Sequence, residues 1–316
     1  MMRLVYMLLL TLCCMSVSCT HKELCYDHSH VVNLNVKFDW CNAPDASPAS
    51  MSLYLFSEDG TRPQRYELKG HDGGTIRVSQ GIYHAVCLNS DTRNIECRDK
   101  EHMSTFLVAS RDETVTGSSM GMGMLLSTAM QNMGRGGERY ARQPEMLWMG
   151  RGFDFVVGED GGVVTLMPEQ AVVRITISIY NVENMDNVTA VAGTLSGLSE
   201  GILASTGEPN GVGVTHPFEV TVSEDKSSLH ASLLSFGDCL AGDQKHYIDL
   251  YTVLGDGSQW HYSFDVTEDV HEAVDELHIY IELDGLPVPE PSPGGGGGGF
   301  RPTIDEWTNV EQEIKM

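Results

Sequence analysis

The sequence predicts an all-β protein of two tandem β-sandwich domains, followed by a glycine-linked C-terminal tail. Three observations predict it. Short runs of alternating apolar and polar residues recur from residue 31 to residue 285, bounded by turn residues and with few helical stretches between them. The chain has 316 residues, enough for two domains of ordinary size. An acidic, glycine-bearing turn, GEDGG at 158–162, is the best place to divide it, giving sandwiches over 30–160 and 161–286.

Composition supports a globular chain, with 41% hydrophobic and 20% charged residues. Twenty basic residues against 44 acidic ones leave a formal net charge of -24. Such a surface excludes nucleic acid and anionic lipid as partners of a basic face, and favours solubility and repulsion of wrong neighbours.

The N-terminus reads as a secretory signal over residues 1–18. Arg3 supplies the positive region, Leu4 to Met15 is apolar but short for a membrane span, and Ser16 and Ser18 lead into Cys19. This is the arrangement of a bacterial lipoprotein, with Cys19 as the acylated first residue; ordinary signal-peptidase cleavage nearby is the rival reading. Residues 19–29 then form an anchor segment. Asp27, His28 and His30 in CYDHSH are read as a solvated stretch between anchor and fold, and no metal site is expected there.

VVNLNVKFDW places Val32, Leu34, Val36 and Phe38 on one face of a strand and Asn33, Asn35 and Lys37 on the other. MSLYLF, TIRVS, GIYHAVCLN, NIEC and STFLVAS continue the series. Residues 114–144, rich in Met and Gly, have no clean period and read as a long loop. EMLWMG, GFDFVVG and GVVTLMP resume the strands, and AVVRITISIYNV opens the second set. In HYIDLYTVL–GDGS–QWHYSFDV a glycine turn joins two alternating strands, a strong hairpin signal. Trp40, Trp148 and Trp260 lie in apolar strand contexts and read as core. PVPEPSPGGGGGG at 287–299 is a linker, stiff in its proline half and flexible in its glycine half.

The chemistry of catalysis leaves no mark. Neither HExxH nor a GxxxxGK[ST] phosphate loop occurs, and the glycine run follows proline rather than a strand. No catalytic residue, metal or cofactor is expected. Of the cysteines beyond the signal and Cys19, Cys25, Cys41, Cys87, Cys97 and Cys239 are widely spaced and contain no CxxC. Cys87 and Cys97 could form a disulfide across the hairpin LNSDTRNIE; two free thiols are the alternative.

The tail carries two competing periods. Trp307, Val310 and Ile314 are spaced three and four apart, as on a helix face. Val310, Gln312, Ile314 and Met316 alternate with Glu311, Glu313 and Lys315, as in a strand.

The stretches SVSCTHKELCYDH, VKFDW and GIYHAVCLNSDTRNIE, then VRITISIYNVENMDNVTAVAGTLSGLSEGI, SFG, DGSQWHYSFDVTEDV and FRPTIDEWTNVEQEIKM, carry a likeness over about residues 16–316. The chain resembles the FimB-type fimbrial anchor and minor-subunit family of Bacteroidota, and a related lipoprotein group known only as a domain of unknown function. The resemblance implies two transthyretin-like sandwiches and a non-enzymatic lipoprotein of the cell outer membrane, held through lipid on Cys19 and facing the cell surface. Its implied partners are the fimbrial subunits of the same assembly, as anchor or as minor or accessory subunit, joined by β-strand complementation. The tail, 300–316, is then a strand, and Ile304, Trp307, Val310, Gln312, Ile314 and Met316 are its strand-exchange candidates. The alternative is a surface lipoprotein that binds glycan or host protein, for which Tyr251, Trp260 and Tyr262 would have to be exposed.

Overall fold

The computed structural model describes residues 31–113, 139–239, 244–290 and 307–311, and nearly all the regular structure there is β. The first sandwich begins with β1 (Val31–Phe38), β2 (Ser50–Ser57), β3 (Gln64–Lys69), β4 (Gly73–Ser79) and β5 (Gly81–Asn89). Two short strands follow, β6 (Ile95–Arg98) and β7 (Leu107–Ser110). After β8 (Arg139–Tyr140) come β9 (Trp148–Val157), β10 (Gly162–Leu166) and β11 (Glu169–Gln170). Strands β10-β1-β4 form one sheet and β11-β9-β5-β2-β3 the other.

The alternation in β1 produces the packing directly. Leu34, Val36 and Phe38 point inward and meet Met51, Leu53 and Leu55 of β2, Ala85 and Cys87 of β5, and Val164 and Leu166 of β10. The run MSLYLF is apolar on both sides because β2 is buried on both sides. Its Tyr54 and Phe56 join Val86, Leu88, Phe106 and Val108 in a separate cluster on the far face. A small sheet covers that face, ordered β14-β7-β6, in which β14 (Gly201–Leu203) comes from the second half of the chain.

The second sandwich contains β12 (Val173–Val182), β13 (Val188–Ser199), β15 (Gly213–Phe218), β16 (Thr221–Val222) and β17 (Leu229–Ser235). It continues with β18 (Tyr247–Leu254), β19 (Gln259–Asp265), helix α1 (Thr267–His271), β20 (His278–Leu286) and β21 (Trp307–Glu311). Its sheets are β16-β17-β12-β20 and β21-β19-β18-β13-β15-β8, packed on a core that includes Ile175, Ile177, Leu250, Tyr262, Phe264 and Ile281. The predicted hairpin is present as β18–β19, in register from Tyr247↔Asp265 to Val253↔Gln259.

The two halves repeat one strand order. The set β10-β1-β4 with β9-β5-β2-β3 matches β20-β12-β17 with β19-β18-β13-β15. In each sandwich the first and last strands pair in parallel, β1 with β10 and β12 with β20, while the other pairings within the repeated set are antiparallel. Neither sandwich is therefore complete until its last strand returns to its first.

That closure moves the boundary drawn at 160/161. GEDGG is a tight turn from β9 into β10, with the Gly161 amide donating to the Gly158 carbonyl at 3.1 Å. Gly161 has φ +82°, and a Cβ there would stand 2.1 Å from the Asn33 carbonyl oxygen. The turn thus crosses between the two sheets of one sandwich, and the first half extends through β11. Conversely β8, from the first half, adds in parallel to β15 of the second.

The expected hairpin bearing Cys87 and Cys97 does not form, since β5 pairs with β2 and β9 while β6 pairs with β7. Cys87 is buried between the sheets of the first sandwich, and Cys97 packs in the cluster on the far face. Both are free thiols, as are Cys41 and Cys239. Burial pushes the Cys87 thiol up to about 12. The tryptophans sit at the core margins: Trp40, Trp148 and Trp260 are half-buried, with Trp40 edge-on to Trp148 at 6.3 Å.

The halves are locked together by one buried carboxylate. Glu200, 5% exposed, stands where β13 leads into β14. It accepts from Arg98 Nη1 of β6 and Arg139 Nη2 of β8, each at 2.6 Å. Arg139 also reaches Asp112. Hydrogen bonds from Gln143 Nε2 to the Pro217 carbonyl (2.8 Å) and from Arg151 Nε to the Ala204 carbonyl (3.1 Å) bridge the same junction. Glu200→Ala is expected to destabilise the chain by roughly 2 kcal/mol, discounted from a fully buried pair because both arginines are about a third exposed. Urea unfolding of wild type and variant measures it, and an unchanged midpoint would remove Glu200 from this role.

His216 beside the junction gives a pH dependence. Its Nδ1 donates to the Ala141 carbonyl at 2.8 Å inside a fully buried pocket. Burial, with a smaller repulsion from Arg139, lowers its pKa from 6.5 to about 4. Between those values the unfolded chain takes up a proton that the folded chain refuses, so stability falls as pH drops from about 6.5 toward 4. Relative to pH 7, His216 alone should contribute a loss of roughly 2 kcal/mol at pH 4.5, and His216→Asn should lose less stability than wild type by about that amount, as thermal melts at the two pH values will show.

Candidate assembly interface

A sheet edge is a row of backbone donors and acceptors awaiting a partner, and proteins protect such edges or use them. The two edges near the end of this chain are treated differently. β20 closes the four-stranded sheet with Glu282 and Asp284 exposed, and Pro287 and Pro289 follow it at once. Charge and proline blunt that edge.

The opposite edge, β19, is covered by β21. The two run parallel, in register from Gln259↔Trp307 through Trp260↔Thr308, His261↔Asn309 and Tyr262↔Val310 to Ser263↔Glu311. A parallel neighbour cannot be reached by a tight turn and needs a long crossover, which helix α1, β20 and the Pro/Gly stretch supply together. The tail is thus a strand over its described part, docked on its own sandwich.

Of the six strand-exchange candidates, Trp307 and Val310 lie in β21; Ile304, Gln312, Ile314 and Met316 fall outside the described residues. Cys19, the signal and the CYDHSH histidines also fall outside them, as does 114–138 of the Met/Gly-rich segment.

The face of the six-stranded sheet that looks away from the core is polar along β18 and β19. His261 Nε2 lies 3.0 Å from Asp249 Oδ1, and the Tyr251 ring stacks on His261 at 4.9 Å between centroids. Tyr251 and Tyr262 are both fully buried and Trp260 is half-buried. The aromatic row that a glycan surface would need is not exposed. Exposed apolar side chains cluster instead on the first sandwich, where Ile82 of β5 is the register partner of Val156 of β9, with Phe153 near His84. No helix among the described residues is long and apolar enough to cross a membrane.

Fold and edge together define a class, that of tandem β-sandwich proteins with a strand-docking edge. The chain belongs to the family described as "Domain of unknown function (DUF5119)", which matches residues 18–219. It is 23% identical over 232 residues to a Bacteroides ovatus protein named "Putative fimbrium anchoring subunit Fim4B", covering 73% of this chain. The chain spans 64% of the length of that relative. Its fold is shared with a "putative adhesin" from Bacteroides ovatus, at TM-score 0.61 and 18% identity over 82% of this chain and 94% of that one. It is shared also with a Bacteroides thetaiotaomicron structure described among "putative polysaccharide binding proteins (DUF1812)", at TM-score 0.53 and 10% identity over 80% and 90% of the two chains.

The pairing seen here is short and peripheral, so it should separate from the core. Deleting residues 300–316 is expected to leave a cooperatively folded chain with a Tm lowered by no more than about 5 °C. Hydrogen exchange should quicken in β19 and little elsewhere. A collapse of the second sandwich would instead make the tail part of its core.

Proposed function

We propose that this chain is a non-enzymatic fimbrial subunit, an anchor or a minor or accessory component, held in the outer membrane by lipid on Cys19 and facing the cell surface. Its partners are the other subunits of the same fimbria, and the joint is β-strand complementation. The observation that carries the reading is β21, a C-terminal strand on a proline- and glycine-rich tether, laid in parallel on the β19 edge.

Physically the joint needs no catalytic group. An extended segment supplies backbone hydrogen bonds to an open edge, and the same edge accepts its own tail or a neighbour's strand. Exchange between the two costs little when intramolecular and intermolecular pairings are alike, and covalent linkage keeps the local strand at high effective concentration until a competitor arrives. The relative named for fimbrium anchoring supports this assignment, as do the motifs SVSCTHKELCYDH and FRPTIDEWTNVEQEIKM.

The test is made in the organism with two variants. Radiolabelled palmitate is expected on the wild-type protein and absent from Cys19→Ala, which should leave the membrane fraction. The chain lacking 300–316 should remain lipidated and surface-located yet fail to co-isolate fimbrial subunits. An unlabelled wild type would sink the anchoring, and undiminished co-isolation of subunits by the truncated chain would sink the strand joint.

A further inference from the structure

At one end of the second sandwich three metal-ligating side chains converge from three separate stretches of chain. Asp238 lies just beyond β17, His246 immediately precedes β18, and His271 closes α1. His246 Nε2 stands 3.2 Å from Asp238 Oδ1 and 3.2 Å from His271 Nε2, and His271 Nε2 is 3.6 Å from Asp238 Oδ2. One ligand atom from each of the three groups lies within 4.8 Å of the other two. We propose that Asp238, His246 and His271 form a binding site for a divalent transition-metal ion of the zinc type, which staples this end of the sandwich.

Distances favour a metal. Ligands bound tetrahedrally at about 2.0–2.1 Å stand about 3.3 Å apart along the tetrahedron's edges. The two imidazole nitrogens, 3.2 Å apart, and His246 Nε2 with Asp238 Oδ1, also 3.2 Å apart, lie close to that value, and the second carboxylate oxygen stands 3.6 Å from His271 Nε2.

The protonation pattern favours it too. His246 Nδ1 lies 3.2 Å from the Ser196 carbonyl oxygen, which can only accept, so Nδ1 carries the hydrogen. In the neutral ring Nε2 then presents a lone pair to the Asp238 carboxylate and to the His271 ring. A hydrogen on His271 Nε2 would satisfy the contact between the rings, and a cation in its place would draw in the Asp238 carboxylate as well. A bound cation satisfies all three groups at once. A ring N–H given to a backbone carbonyl is moreover the usual device for aiming a histidine at a metal.

The fold builds the seat. β13 is irregular between Leu195 and Leu198, where Gly197 takes φ +81°. A Cβ at Gly197 would come within 2.5 Å of the Lys245 carbonyl oxygen and 2.8 Å of His246 Nδ1. Only glycine lets β13 bring the Ser196 carbonyl to the ring. The backbone of His246 is tied to the start of α1, donating to Thr267 Oγ1 at 3.0 Å and accepting from the Val266 amide at 2.9 Å. His271 is therefore carried to His246 on a short, fixed connection.

Two imidazoles and one carboxylate select the metal class. Calcium and magnesium prefer oxygen ligands throughout, whereas nitrogen with one oxygen suits zinc and its neighbours. His271 and Asp238 are partly exposed, which leaves the outer side open to water as a fourth ligand. The staple would join the chain leaving the four-stranded sheet at β17 to the strand entering the six-stranded sheet at β18, and both to the helix after β19.

The test uses the full chain, stripped with EDTA and titrated calorimetrically with Zn²⁺. One equivalent is expected to bind with a dissociation constant in the low micromolar range or below, and Tm should rise by about 5 °C at a hundredfold excess over that constant. Co²⁺ should give the intense visible bands of a tetrahedral site, while Ca²⁺ and Mg²⁺ leave Tm unchanged. His271→Ala, at a partly exposed position, should weaken Zn²⁺ binding at least tenfold, and Asp238→Asn should weaken it as well. No saturable binding up to about 100 µM Zn²⁺, or an affinity unchanged in His271→Ala, would overturn the site.

Discussion

Glu200 is the constraint around which the two halves are arranged. A carboxylate that is almost wholly out of water must be neutralised by partners with good geometry, because a buried unpaired charge costs several kcal/mol. Arg98 and Arg139 supply that neutralisation, and they come from β6 and β8, strands separated in sequence by a long connection. For both to reach Glu200, β14 must lie beside β7 and β8 beside β15. The ion cluster thus favours one mutual placement of the sandwiches more than it adds stability, as buried charges do where they select among alternatives. Ala204, whose amide donates to the Phe106 carbonyl at 2.8 Å, and Ile202, packed against Phe106 and Val108, fill in around it with backbone pairing and apolar surface.

The repeated strand order explains why this junction is needed. Each sandwich is closed by its own parallel pair of first and last strands, so each could in principle stand alone. Yet the sheet holding β2 and β5 is apolar on both faces, and one sandwich core covers only one of them. Tyr54, Phe56, Val86 and Leu88 would face water without the small sheet that β14 completes. The second half of the chain is therefore a structural lid on the first. Removing it would expose apolar surface on a sheet, the condition that invites non-native pairing.

Much of this was legible in the chain. The period of two in VVNLNVKFDW and the glycine turn in HYIDLYTVL–GDGS–QWHYSFDV encode β1 and the β18–β19 hairpin through local physics alone. MSLYLF was legible as a strand of the series, but its burial on both faces depends on the small sheet that covers Tyr54 and Phe56. What could not be read were relations between distant residues. GVVTLMP looks the same whether its strand joins the sandwich before it or the one after it, and only the return of Val164 and Leu166 to the core of β1 decides. The cysteines at 87 and 97 have hairpin spacing, but β9 takes the place beside β5 that β6 would have filled. Asp238, His246 and His271 share no short spacing at all. Their convergence depends on a bulge in β13 and on a helix following β19, and neither leaves a periodic signal.

β19 is the element on which these separate features meet. Its core face carries Tyr262 and Phe264, its far end leads through Val266 into α1, and its free edge receives β21. β21 runs in the same direction as β19, toward the end where His246 is bonded to Thr267. A strand added to an edge must offset the entropy of ordering both itself and its template. When the template is already rigid, only the incoming strand has to be ordered. Antiparallel pairing to β18 along one side holds β19, and the backbone bonds of His246 to Thr267 and Val266 hold its end. A metal at Asp238, His246 and His271 would tighten that end further without touching the edge. The docking of β21 is then a local event on a fixed surface, ordered strand against an already ordered template.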